Sequence, residues 1–146
     1  MIYVAASSAE IERAEKWSLA LRGEGISVMS VWPETIRRVQ AERGMKTTGE
    51  ASNPRQASVA DRRTWAMENV TQIKASEVFW LLVPGPANPS QGAFWEHAFA
   101  WSERKIIFAS GGDQRFVFTS LSQILVDTDE AAFDLIRHIY RRRAAL

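Results

Sequence analysis

The sequence predicts a small doubly wound α/β domain, with helices on both faces of a parallel sheet of four or five strands, in the manner of flavodoxin or Rossmann-like folds. Three observations carry this expectation. Short apolar runs alternate with segments of helical period, and strands separated by helices imply crossover connections and parallel pairing. One run, "EVFWLLV", is apolar at almost every position, as a central strand covered on both faces should be. Cap residues also stand where helices should start and stop. The 146 residues are read as a single domain spanning 1–146, long enough to bury a core.

Taken in order, "IYVAA" is the first strand. Ser7 and Glu10 have the spacing of a capping box. The helix they open should run to about Arg22, with Ile11, Ala14, Ser18 and Leu21 on one face and Gly23 and Gly25 beyond its end. "ISVMSVW" reads as a second strand closed by Pro33. Over residues 34–58 the periodicity dissolves into turn formers and basic residues, and a flexible loop is expected. Between Arg37 and Arg63 there are seven Lys or Arg against three Asp or Glu. Ser58 and Asp61 should cap a helix to Ala75 that turns Ala66, Val70 and Ile73 inward. The central strand follows, then the loop "PGPANPSQG", an apolar helix, and "KIIFAS" as a further buried strand. "RFVF" and "QILVD" are shorter strand candidates. The last helix should run from about Asp129 to Arg143, with acids at its start and arginines at its end, as the helix dipole favours.

Composition narrows the function classes. A net charge of +1 gives no general attraction to nucleic acid or membrane. The absence of cysteine excludes disulfides and thiolate metal sites, and two histidines, His97 and His138, argue against an all-histidine metal centre. No metal and no cofactor is expected. There is no glycine-rich dinucleotide fingerprint and no phosphate-loop lysine. The amino terminus reads as a strand and not a signal peptide. The longest apolar run is far short of the roughly 18 residues needed to span a bilayer, and a soluble cytoplasmic protein is the expectation.

Ligands of such sheets lie beyond the carboxyl ends of the strands, where strand order switches. The residues after "IYVAA", those after "VMSVW", and the "PGPANPSQG" loop should therefore meet at the site. Glu96 is the residue to explain. Helical spacing sets it beside Gly92, Ala93, Ala100 and Glu103, on a face lined by small residues near the positive end of an otherwise apolar helix. Asn69 falls on the inward face of its helix, and Trp32 is placed to stack on a base or to pack in the core. His97 reads as a surface or interface residue and His138 as a solvated one.

"PSQGAFWEHAFAWSERKIIF" resembles the signature of the nucleoside 2-deoxyribosyltransferase family and its relatives that hydrolyse nucleoside 5'-monophosphates. The matching positions are Ser90, Gly92, Glu96, Ala98, Ala100 and "KIIF", and "IYVAAS" is similar to the family's first strand, with its tyrosine at Tyr3. "ENVTQIKASEVFWLLV" is similar to the helix and strand between them. The resemblance implies that Glu96 is a nucleophile attacking the anomeric carbon, in the manner of a retaining glycosidase. It implies that Tyr3 orients that carboxylate and that Ser90 bonds a phosphate or sugar oxygen. Ser7 and Ser8 are expected to meet a 5'-phosphate, and a homodimer or larger assembly is implied. The chain departs from the pattern at Asn69, where the family carries the acid that protonates the leaving base, at Ser76 or Glu77, and at His97 in place of a glycine. An amide orients a base but donates no acidic proton. Three readings follow: an N-glycosidase acting on a nucleoside or its 5'-monophosphate, a nucleotide-binding protein of the same fold without turnover, or a relative of NAD-cleaving domains.

Overall fold

The computed structural model describes residues 1–44, 57–112, 114 and 117–144. Four strands, Ile2–Ala5 (β1), Val78–Leu82 (β2), Ile106–Ser110 (β3) and Ile124–Val126 (β4), form one sheet in that order. Every pairing is parallel. The helices are Ile11–Gly23 (α1), Trp32–Arg43 (α2), Val59–Ala75 (α3), Gln91–Ser102 (α4) and Asp129–Ala144 (α5). This is the doubly wound α/β arrangement that the alternation implies. Every residue of β1 and β2 is buried, which explains why neither strand alternates polar with apolar residues.

Successive strand residues point to opposite faces, and the aromatics show which helices cover which. Trp80 meets Trp17 of α1, which in turn meets Phe133 of α5. Phe79, one residue earlier, meets Tyr3 and, from α4, His97. Thus α1 and α5 lie on one face and α4 on the other. A partly buried polar network fastens the first layer. Arg13 of α1 grips both oxygens of Asp129 at 2.7 and 2.8 Å and also donates to the carbonyls of Val83 and Ser110, where β2 and β3 end. Trp17 and Ser110 donate to the same aspartate.

Five expectations change. The "ISVMSVW" segment pairs with β1 only through a bridge at Ile2 and Val28. Beyond it, side chains replace the ladder: the Val4 amide donates to Ser30 Oγ and the Val4 carbonyl accepts from the Trp32 indole. The segment still runs along the outer edge of β1, so strand order reverses between β1 and β2. Residues 34–43 of the expected loop belong to α2, which Pro33 opens and which seats Trp32, Ile36 and Val39 against the core or the cavity; residues 45–56 lie outside the described set. Ser7 caps a short 3-10 turn, Ser8–Glu10, and Glu10 does not complete a capping box, because its carboxylate accepts from Arg13 and from the Gly85 amide. Val117–Leu121, in the region read as "RFVF", is a 3-10 turn, not a strand. Ala66 is exposed as well, leaving Ile73 as the buried residue of α3. The capping box of Ser58 and Asp61 is present as expected.

No helix among the described residues is long and apolar enough to cross a membrane. Replacing Arg13 with Met strands a largely buried aspartate, so Arg13→Met should lose about 3 kcal/mol of unfolding free energy in urea titration, at the low end for broken buried pairs because the guanidinium retains some solvent contact.

Candidate active site

The switch between β1 and β2 opens into a cavity of about 480 Å³. Two loops and three helices build it. Ala6, Ser7 and Ser8 follow β1, and Trp32, Thr35 and Ile36 come from the start of α2. Trp65, Glu68 and Asn69 come from α3. Pro89 to Ala93 and Glu96 come from the loop after β2 and the first turns of α4. All of Ser7, Ser8, Trp32, Asn69, Ser90, Gly92 and Glu96 therefore meet at one place, and Tyr3 stands immediately behind.

Glu96 is the chemical centre. Protein surrounds its carboxylate except toward the cavity. Tyr3 donates its hydroxyl to Glu96 Oε1 at 3.0 Å, and the Asn69 amide nitrogen donates to the same oxygen at 2.9 Å. No donor among the described residues reaches Oε2. Tyr3 is fully buried, and its ring is stacked on Phe79 at 5.7 Å between centroids with an interplanar angle of 8°. That stack follows from strand register, since Tyr3 and Phe79 are direct partners across the β1–β2 ladder.

Burial pushes the Glu96 carboxyl up to about 7, while the bonds from Tyr3 and Asn69 pull it the other way. Burial first, then the charge and bond of Glu96, raise the Tyr3 hydroxyl well above its ordinary value, so it remains a proton-bearing donor. The carboxylate is thus held by two neutral groups and no cation.

Loop residues are fixed from outside the cavity. Ser90 caps α4 by accepting from the Ala93 amide at 3.2 Å. Glu10 Oε1 accepts from the Gly85 amide at 3.4 Å, tying the "PGPANPSQG" loop to the 3-10 turn after β1. Trp32 cannot swing, because its indole nitrogen donates to the Val4 carbonyl at 2.9 Å. Thr35, Ile36 and Gln91 fall in the segments expected to line the site, whereas the sequence reading missed Trp65. Glu68 lines the cavity beside Asn69, although the 100° between successive residues of an ideal helix would turn it away. A polar neighbour of Asn69 on α3 was the available signal; Trp65, one turn earlier on the same helix, was the other.

His97 is not a surface residue. It is fully buried, its Nε2 is 2.8 Å from Ser122 Oγ, and desolvation lowers its pKa. The reason is that α4 is covered by the sheet on one side and by the Val117–Leu121 segment on another. His97 therefore points away from the cavity and supplies no general acid there. His138 is exposed. The arginines of the basic region are also spread: Arg37 pairs with Glu15 on α1, Arg43 pairs with Asp61, and Arg63 lines a separate groove. Arg55 lies outside the described residues. Among the described residues no three His, Asp or Glu side chains are grouped to hold a metal ion.

No family model matches the chain, and no curated protein matches its sequence.

The raised Glu96 value has a stability consequence whose sign can be worked out. Below the ordinary carboxylate range Glu96 is protonated in both folded and unfolded chains. As pH rises the unfolded chain releases its proton first, so stability falls until the folded form ionises near 7. Glu96→Gln should therefore raise the melting temperature at pH 8, corresponding to a gain on the order of 2–3 kcal/mol, and leave it nearly unchanged at pH 4.5. A thermal-melt series across that range checks this.

Proposed function

We propose that the protein cleaves the N-glycosidic bond of a nucleoside or nucleoside 5'-monophosphate, with Glu96 as nucleophile and water as the final acceptor. One observation carries the reading: two neutral donors converge on Glu96 Oε1, leaving Oε2 without a donor among the described residues in the wall of a cavity large enough for a nucleoside. A carboxylate restrained through one oxygen has a fixed direction and an available lone pair on the other. In the proposed reaction Oε2 bonds to the anomeric carbon as the base departs, giving a glycosyl ester that water then hydrolyses.

The resemblance to nucleoside 2-deoxyribosyltransferases and monophosphate hydrolases supports the same assignment, since Tyr3 and Glu96 are positions at which it implies a partnership. Ser7, Ser8 and Ser90 offer hydroxyls for the sugar or its 5'-phosphate, and Gly92 lines the cavity beside them. Trp32 offers a fixed aromatic ring for the base. Asn69 favours a second reading, a nucleotide-binding protein of this fold without turnover, because its amide stands where a leaving-base acid is expected. An NAD-cleaving activity is a third reading of the same nucleophile.

Self-association belongs to the proposal too. A second groove of about 450 Å³ adjoins the cavity through Pro89, Ser90 and Gln91 and continues over Phe94, Trp95, Ala98 and Phe118. Trp95 is 56% exposed although stacked on Phe99. An apolar face of this kind suits a homodimer that closes around the cavity rim.

Incubation with ribo- and deoxyribonucleosides, their 5'-monophosphates and NAD, followed by chromatography for free base, tests the function. Release that disappears in Glu96→Ala is the expected result; release that survives the substitution rejects Glu96 as nucleophile, and ligand binding with no release from any substrate selects the binding-protein reading. Tyr3→Phe removes one of the two bonds that lower the Glu96 value. The acid limb of the rate profile, expected near pH 7, should therefore move to higher pH, and kcat at pH 7 should fall by about tenfold, the scale of one hydrogen bond to a charged group.

A further inference from the structure

The cavity carries a pattern of charge and proton donors that constrains the leaving group. Asn69 stands beside Glu96 in the cavity wall, its side chain is an amide with no acidic proton to give, and it is committed to Glu96 Oε1. A neutral purine or pyrimidine departs as an anion unless a proton reaches it. A heterocycle joined to the sugar through a positively charged nitrogen needs no proton, because the electron pair of the broken bond cancels its charge. The lining also holds two carboxylates, Glu68 and Glu96, and two indoles, Trp32 and Trp65, and no Lys or Arg among the described residues lines it. Carboxylates and indole faces both attract cationic rings.

From this juxtaposition we infer that the substrate class is an N-riboside whose leaving group is a cationic heterocycle, pyridinium ribosides being the simplest members. The inference deepens the glycosidase reading. Its turnover depends on Glu96 as nucleophile, but its recognition part does not.

The step balances without an acid. Glu96 Oε2 forms a bond to the anomeric carbon, the carbon–nitrogen bond breaks, and its electron pair passes to the ring nitrogen, releasing a neutral heterocycle. Water then attacks the same carbon, the ester bond returns its electrons to Glu96, and one proton leaves to solvent. Burial holds the empty-site carboxyl near 7, so a bound cation also favours the ionised nucleophile. Glu68 is exposed at the cavity wall and needs no reorganisation to face a cation there.

The test separates recognition from chemistry. Calorimetry on Glu96→Gln compares nicotinamide riboside with its dihydro form, which has nearly the same shape without the charge. The cation should bind at least about tenfold tighter, and Glu68→Gln added to that variant should remove most of the preference. Equal affinities for the two forms overturn the inference. In parallel, base release by the wild-type protein is measured for nicotinamide riboside, adenosine and uridine, each relative to its uncatalysed background. Acceleration for the pyridinium riboside should exceed that for the neutral ribosides by about a hundredfold, the scale of a missing general acid. Comparable acceleration for all three overturns the inference while leaving Glu96 as nucleophile. Preferential binding of the cation with no release from any riboside upholds the recognition part and defeats the nucleophile.

Discussion

Everything at the cavity depends on how one oxygen is held. Tyr3 and Asn69 both donate to Glu96 Oε1, and neither carries a charge. An arginine in their place would form a stronger pair, but it would stabilise the anion so far that its lone pairs became poor at attack. Two neutral hydrogen bonds fix direction at a smaller cost in basicity. Burial then outweighs them and lifts the carboxyl to about 7. A group with that value is ionised often enough near neutrality to react, and basic enough to be reactive when it does.

The scaffold makes this holding rigid. Tyr3 is locked by its stack on Phe79, a consequence of parallel register between β1 and β2. The loop that carries Ser90 is anchored at two levels: Arg13 takes the Val83 carbonyl, and Glu10 takes the Gly85 amide. Gly112 packs so closely on the Val83 carbonyl, with a φ of +60°, that a Cβ there would lie 2.2 Å from that oxygen. The sheet end, the 3-10 turn and the β3 exit thus confine the same short stretch of backbone. Asn69 reaches Glu96 from a looser element, since α3 buries only Ile73. The two donors on Oε1 therefore come from a fully buried strand and from a helix with one buried residue.

Much of this was legible in the sequence, for reasons that differ by element. The strand at residues 78–82 announced itself because a strand buried on both faces has no polar positions to confuse with a helix face. The capping box at Ser58 and Asp61 was readable because it is local chemistry. The second strand misled because Ser30 and Trp32 side chains satisfy the Val4 amide and carbonyl, a substitution that no periodicity encodes. Helix α2 was hidden because three apolar residues, Trp32, Ile36 and Val39, are spread among arginines and glutamates, and because Pro33 reads equally as a strand stop and a helix start. The gathering of Tyr3, Asn69 and Glu96 was legible through the resemblance and the switch-point rule together. The place of Glu68 was not, because ideal helix angles ignore how wide a cavity mouth is. His97 was misjudged for a similar reason: whether α4 is covered on a second side depends on the distant Val117–Leu121 segment.

Asn69 decides how the cavity's charge should be understood. If an acid stood there, it would share a proton with Glu96, and the pair would divide into one acid and one nucleophile. The amide removes that option and leaves Glu96 and Glu68 as like charges in one cavity, with no lining cation among the described residues to offset them. Such a site is poorly disposed toward an anionic leaving group and well disposed toward a positive ring. In the proposed reaction the amide therefore withholds an acidic proton and leaves the cavity to select by charge the leaving group that needs none. On that reading the missing proton donor and the preference for a cation are two consequences of a single side chain.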